Sequence, residues 1–484
     1  MTDPALLEQQ AAELLAEYKL GSSEFERAVT MLSEAAPGSD SAALRLGHVM
    51  AQNPAYEGAA DMAAEAYKKA ARTRPDGMER LADLYMIGYG VAANDAAAFE
   101  LIGQVAELGY PTAQCNLAYM HSQGIGTEQN QYAASTLYIR AAAQGDTRAI
   151  AVLAERFLLG SGVRQSLAMA GAWIRLAELR KLAGARQRRQ LIDSLSTEQQ
   201  RAKADQLAEV IKSVIRGLGP RVAELEQGDP ATYVAQFAQL MTHHCGQMAS
   251  QPGLQDLDLD ANRRMALGAT DHTAPAAIKR VLSWQPRVIE IEHFLSPEQC
   301  HLLIELATPL LVSTEQARAN QKGQEIDNFD GSCAIVASPL ATPVSRHLTR
   351  RFSELCHLPT DHFEPISVLR YGVAHEYSPH FDYFDPPRIH RHEQNGDFGG
   401  QRQVTCLVHL SVADEGGSTW YEHARLEVAE RVGLGVIHYN ALPCGLPDEH
   451  SLHAGLPIKA GEKWLCRTSG REASLLFPQY REIR

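Results

Sequence analysis

A chain of 484 residues has length for roughly two to four domains, and its 45% hydrophobic and 21% charged content is ordinary for a globular protein. The formal net charge of −13 excludes a general nucleic-acid binder, which needs a basic surface to meet phosphate. Eight cysteines without a Cys-x-x-Cys pair argue against a zinc ribbon or a disulfide framework, and no basic-then-apolar start or long apolar run suggests export or a membrane span, so a cytoplasmic setting is expected.

Residues 1–40 read as a capping helix, Ala5 to Tyr18, ahead of a repeat array over 41–180. Leu81, Leu117 and Leu153 stand 36 apart, as do Gly88, Gly124 and Gly160, and the paired Gly90, Gly126 and Gly162. Each unit is a helix, a Gly-x-Gly turn, an Ala-rich second helix and a closing glycine such as Gly109 or Gly145. Alanine lets paired helices approach closely, and glycine accepts the left-handed conformation that ends a helix. One helical hairpin cannot bury its apolar face alone, so such units stack. This stretch resembles Sel1-like repeats, relatives of the tetratricopeptide family. The resemblance implies a solenoid that presents a surface to a protein or peptide, or else a structural or dimerising arm.

Residues 181–280 read as a helical connector and linker. The basic Arg186-Gln187-Arg188-Arg189 run is expected on a solvated helix face. A Gly217-Leu218-Gly219-Pro220 break, a helix over Ala231 to Met248 and an irregular stretch over 250–280 follow.

From about 281 the texture turns to β. Val288 to Ile291 alternates, Ser296-Pro297 begins a helix, and strands are expected at Ile366 to Tyr371, Val404 to Val412, Arg431 to Tyr439 and Trp464 to Thr468. Many short strands with tight Gly turns suit a jelly-roll of two facing sheets. In 404–412, alternation predicts that Val404, Cys406, Val408, Leu410 and Val412 pack on helices. Thr405, Leu407, His409 and Ser411 then face the cavity, where the Thr405 hydroxyl is either a ligand contact or simply part of a β-forming residue.

The chemistry gathers at Tyr377-Ser378-Pro379-His380-Phe381-Asp382 and its distant partner Ser451-Leu452-His453-Ala454-Gly455. Two histidines and one carboxylate are what a facial Fe(II) site requires, with the opposite face left open. His380 and Asp382 are two apart, so on a strand they point to one side.

Around these residues, Leu369-Arg370-Tyr371-Gly372, Glu376-Tyr377, Gly399-Gly400-Gln401-Arg402 with Thr405, Glu415-Gly416-Gly417-x-Thr419, and Leu452-His453-Ala454-Gly455 with Gly461-Glu462-Lys463-Trp464 occur in order. Over about 281–484 the chain resembles the prolyl 4-hydroxylase family of Fe(II)/2-oxoglutarate dioxygenases. The resemblance implies an α + β multidomain protein: an all-α helical-repeat solenoid followed by a double-stranded β-helix, or jelly-roll, with flanking helices. It implies Fe(II) held by His380, Asp382 and His453, and 2-oxoglutarate bound by Lys463, which lies ten residues after His453, with Tyr371 and Thr405. Arg467 is the runner-up carboxylate partner. Tyr377 and Arg402 fall on the substrate side, although Tyr377 also reads as a core aromatic. O2 is consumed and ascorbate is a further cofactor of the family.

Two departures bear on the substrate: Ser469 stands where the family has tryptophan, and Asp330-Gly331-Ser332 where it often has Arg-Thr-Ser. The segment 385–396 reads as a lid, and its His390 and His392 as solvated residues, not a second metal site. The expected activity is hydroxylation of a peptidyl proline, or a similar residue, in a protein recruited by the repeats. The alternatives are hydroxylation of a free amino acid or small peptide, and an interaction scaffold with a sensing or inactive oxygenase domain. Neither nucleic acid nor membrane is an expected partner, and the sequence leaves the oligomeric state open.

Overall fold

The computed structural model describes residues 3–17, 22–53, 56–215, 279–313, 331–336, 342–385, 387, 389, 399–442 and 445–475. The expected helix over 231–248, the preceding glycine break and nearly all of the expected linker and lid lie outside these residues. The described residues fall into two compact units, one up to residue 130 with 342–347, the other from 131 to 336 with 348–475.

The first unit is helical: α1 (Pro4–Glu17), α2 (Ser23–Ala35), α3 (Asp40–Gln52), α4 (Ala59–Ala70), α5 (Pro75–Ile87), α6 (Asp95–Glu107) and α7 (Pro111–Gln123). Two helices therefore occupy 1–40, where one is expected from sequence. Side chains of Ser22, Ser39 and Asn94 cap the starts of α2, α3 and α6, and Gly88 and Gly124 end α5 and α7 in the left-handed conformation. The core is largely alanine with Phe25, Leu32, Met50 and Tyr67.

The second unit begins with α8 (Gln131–Ala143), α9 (Thr147–Leu159), α10 (Leu167–Leu179), α11 (Ala185–Leu195) and α12 (Glu198–Val214). The 36-residue period has a steric cause. A Cβ on Gly90, Gly126 or Gly162 would overlap the carbonyl oxygen of Ala60, Asp95 or Gln131, respectively. Each oxygen belongs to the first or second residue of an Ala-rich helix, so the turn is seated on backbone that leaves no room for a side chain.

Helix α9 is buried all round, from Arg148 to Leu158, because α8 and α10 cover two sides and α13 (Pro297–Ala307) covers another. The charges this buries are paired. Arg156, 1% exposed, donates to both Glu298 oxygens (3.1 Å each), to the Gln131 carbonyl and side chain (2.9 and 2.8 Å) and to Ser135 (2.7 Å). Glu155 is held by Arg188, from the basic run expected on a solvated face, and by His301. Burial alone would raise the Glu155 carboxyl, but Arg188 and His301 outweigh it and bring it down to about 2.

The β-structure is an eight-stranded and a four-stranded antiparallel sheet. The larger runs β1 (Lys279–Trp284), β2 (Arg287–Ile291), β11 (Gly435–Tyr439), β7 (Arg402–Ser411), β14 (Lys463–Arg471), β5 (Ile366–Tyr371), β4 (Ser332–Val336), β3 (Val312–Ser313) in spatial order. The smaller runs β10 (Leu426–Val428), β9 (Thr419–Tyr421), β12 (His453–Gly455), β6 (Tyr377–His380), and β8 (Glu415–Gly416) pairs with β13 (Ile458–Ala460). Apolar side chains of both larger sheets meet between them, among them Leu369, Leu407, Val436 and Leu465 with Tyr421 and Val428. This is the expected jelly-roll with flanking helices.

The expected alternation in β7 holds as far as His409. Cys406 lies against Cys356 of α14 (Pro343–Cys356), with the sulfurs 3.6 Å apart, while Thr405 and Leu407 stand opposite Ser469 and Arg467 of β14. The ladder then shifts register, bringing Ser411 opposite Trp464, where its hydroxyl accepts from the Trp464 amide (3.1 Å). Ser411 thus does not continue the inner row expected of it.

Candidate metal centre

Strands β6 and β12 pair with His380 directly opposite His453, and the chain leaving β6 turns Asp382 back toward both. One ligand atom from each of His380, Asp382 and His453 lies within 4.8 Å of the others, an arrangement that could hold a metal ion. Each histidine has its Nδ1 on the carbonyl two residues before it: His380 on Ser378 (2.8 Å) and His453 on Ser451 (3.0 Å). A carbonyl only accepts, so Nδ1 carries the proton and both Nε2 lone pairs are free for a cation. Burial keeps both imidazoles neutral to lower pH than usual.

Asp382 is 2% exposed. Burial would raise its carboxyl, but Arg467 above all, then His438, His453 and His380, hold it well below the usual range. One oxygen accepts from Arg467; the other lies 3.2 Å from Nε2 of His438, whose Nδ1 is 2.9 Å from the Tyr421 hydroxyl. Sequence reasoning missed His438 and Tyr421. They sit on separate strands far from the His-x-Asp motif, and nothing in the spacing connects them.

The other candidates line the inner face. Lys463, 2% exposed, stands opposite Tyr371 across β14 and β5, with its ammonium 5.6 Å from the Tyr371 ring centre. It pairs with Glu430 at 2.8 Å and donates to the Gly417 carbonyl. Burial lowers its pKa, with Glu430 opposing the shift. Thr405 accepts from Asn440 at 2.9 Å and lies 3.4 Å from Ser469, one of the departure positions. Tyr377 stacks on the His380 ring with centroids 3.7 Å apart.

Arg467, weighed as a carboxylate partner, is on Asp382. Arg402 sits just outside this group. It grips Glu364 through two hydrogen bonds of 2.7 Å and reaches the Asp382 carbonyl at 3.3 Å. Burial would raise Glu364, but Arg402, Arg471 and Arg467 bring it down to about 2. His409 was placed on the inner face by alternation. It is fully buried, and neither ring nitrogen meets a hydrogen-bond partner among the described residues.

Two imidazoles and a carboxylate converging between facing β-sheets are the donor set of a non-haem iron oxygenase class. The Sel1 repeat model matches residues 75–110, 111–146 and 147–179. The chain is 31% identical over 241 residues to probable prolyl 4-hydroxylase 9 of Arabidopsis thaliana, covering 44% of this chain and 81% of that protein. It is 31% identical over 203 residues to prolyl 4-hydroxylase 5 of the same plant, covering 38% and 68%. The chain belongs to the prolyl 4-hydroxylase family of iron(II)- and 2-oxoglutarate-dependent dioxygenases, and carries Sel1 repeats as well.

Solved structures give weaker likenesses. A 2OG complex of the viral collagen prolyl hydroxylase of Paramecium Bursaria Chlorella virus-1 has a TM-score of 0.31 and 23% identity over 38% of this chain and 96% of that one. A Sel1 repeat protein from Oxalobacter formigenes has 0.32 and 22% over 43% and 88%.

Proposed function

We propose that this protein hydroxylates a peptidyl proline, or a similar residue, in a protein substrate recruited by its helical repeats. His380, Asp382 and His453 would hold Fe(II); the observation that carries this reading is their convergence with both Nε2 atoms freed by backbone carbonyls. Bound iron supplies oxygen activation, with 2-oxoglutarate oxidised to succinate. The protein's part is to bind, orient and exclude water.

Lys463 offers the cosubstrate's far carboxylate a buried ammonium, with Tyr371 and Thr405 beside it. Tyr377, stacked on His380, lies on the substrate side. Arg402 is assigned there with it, acting through its grip on Glu364 and the Asp382 carbonyl. Ascorbate would keep the iron reduced between turnovers. On the repeats, Leu108 (62% exposed) and Tyr110 (48%) leave apolar surface for a polypeptide to cover. No helix among the described residues is long and apolar enough to cross a membrane. The free thiols of the described cysteines are in keeping with the reducing, cytoplasmic setting proposed here.

The test is anaerobic addition of Fe(II) and 2-oxoglutarate, followed by turnover on proline-containing peptides. A weak visible charge-transfer band, lost in His380→Ala, and succinate released with one oxygen gained by the peptide are expected. A folded wild-type protein without the band would overturn the metal assignment. Succinate release with free proline but no polypeptide would overturn the substrate.

A further inference from the structure

The Asp382 carboxylate is reached by a hydrogen-bonded chain that runs through both sheets. Tyr421 comes from β9 of the smaller sheet and His438 from β11 of the larger, and both are wholly buried. The direction of the chain follows from elementary chemistry. Asp382 carries the Arg467 guanidinium on its other oxygen and, as a carboxylate, only accepts, so Nε2 of His438 must present the hydrogen at 3.2 Å. Nδ1 of an imidazole carrying one proton is then an acceptor, and the Tyr421 hydroxyl is the donor that meets it at 2.9 Å. With the tautomer reversed, an imidazole lone pair would face a carboxylate oxygen.

Tyr421 is also the register partner of His453 on β12, their rings stacked with centroids 5.7 Å apart; the His438 ring lies 4.5 Å from that of His453. Two of the three candidate ligands therefore rest on the same pair of side chains. His438 is not itself one of the three residues whose ligand atoms converge.

We infer that Tyr421 and His438 are positioning residues that hold one oxygen of Asp382 while Arg467 holds the other, and so fix the orientation from which this carboxylate meets the metal. The inference rests on the metal reading given above. Tyr421 sets the tautomer of His438, and His438 sets the carboxylate. A glutamine at 438 separates this from simple packing, because its amide donates whatever the state of Tyr421.

The experiment is anaerobic Fe(II) titration of the full-length protein in the presence of 2-oxoglutarate, read by the charge-transfer band, with circular dichroism confirming the fold. His438→Phe is expected to weaken Fe(II) binding about 10–100-fold, the range typical for loss of an outer partner. His438→Gln should recover most of that loss. Tyr421→Phe should weaken binding with histidine at 438 and have little effect with glutamine there.

Wild-type affinity in folded His438→Phe would overturn the inference, as would an equal effect of Tyr421→Phe in both backgrounds. These results are distinguishable from failure of the metal reading, in which the wild-type protein itself shows no band.

Discussion

Arg156 offers a direct test of whether the last repeat and helix α13 share one cooperative structure. Substituting methionine keeps the volume but removes five hydrogen bonds, two of them to Glu298, whose side chain is 15% exposed. Breaking a buried pair by deleting one partner costs about 3–5 kcal/mol, because the remaining charge is stranded. Residual water at Glu298 favours the lower end, while the unmatched Gln131 carbonyl and Ser135 hydroxyl pull the other way. At about 2 °C per kcal/mol for a unit of this size, the melting temperature should fall by about 6–10 °C. Differential scanning calorimetry of Arg156→Met, Glu298→Leu and the double variant is the assay. The double variant should recover much of the loss, since an apolar pair of similar size leaves no charge buried alone. A fall below about 2 °C for Arg156→Met, or a double variant no better than the single, would refute the reasoning.

Other expectations follow from the same contacts. Gly160→Ala should cost about 1–2 kcal/mol for its left-handed backbone, and Gly162→Ala distinctly more, because its Cβ would collide with the Gln131 carbonyl; chemical denaturation compares them. Lys463→Met should both destabilise the fold, by stranding Glu430, and weaken 2-oxoglutarate binding about 10-fold or more. Adding Glu430→Met should restore the melting temperature but not the cosubstrate affinity. His409 is held well below its usual pKa by burial, then by Lys463 and Arg431, so unfolding below about pH 6.5 takes up a proton. Its contribution is full above that pH and is lost as pH falls, and His409→Phe should flatten the denaturation profile between about pH 6.5 and 5. A fragment beginning near residue 281 should express poorly, because it exposes the face of α13 that α9 covers.

The repeat was legible because a backbone collision recurs at a fixed interval, and a collision leaves a glycine in the sequence. The inner face of β7 was legible through Thr405 and Leu407 because strand alternation has a period of two. It failed at Ser411, where a register shift, carrying no residue signature of its own, re-aims the side chain. The strand β9 went unpredicted, since three residues hold too little pattern, and so did the 14-residue helix α14. Partnerships across the fold were the least visible. Glu430 on Lys463, His438 on Asp382 and Arg188 on Glu155 join residues whose separation along the chain has no characteristic value.

Strand β14 lays Lys463, Leu465 and Arg467 opposite Tyr371, Leu369 and Ser367, and Ser469 opposite Thr405. The strand thus works as a ruler on which the cation proposed for the cosubstrate, the clamp on Asp382 and a residue that departs from the family pattern are marked at two-residue intervals. Sliding it by one residue would turn every mark outward together. Mispairing of this strand during folding would therefore yield molecules with all these functions lost at once rather than partly active ones, so a preparation's specific activity would count correctly paired molecules.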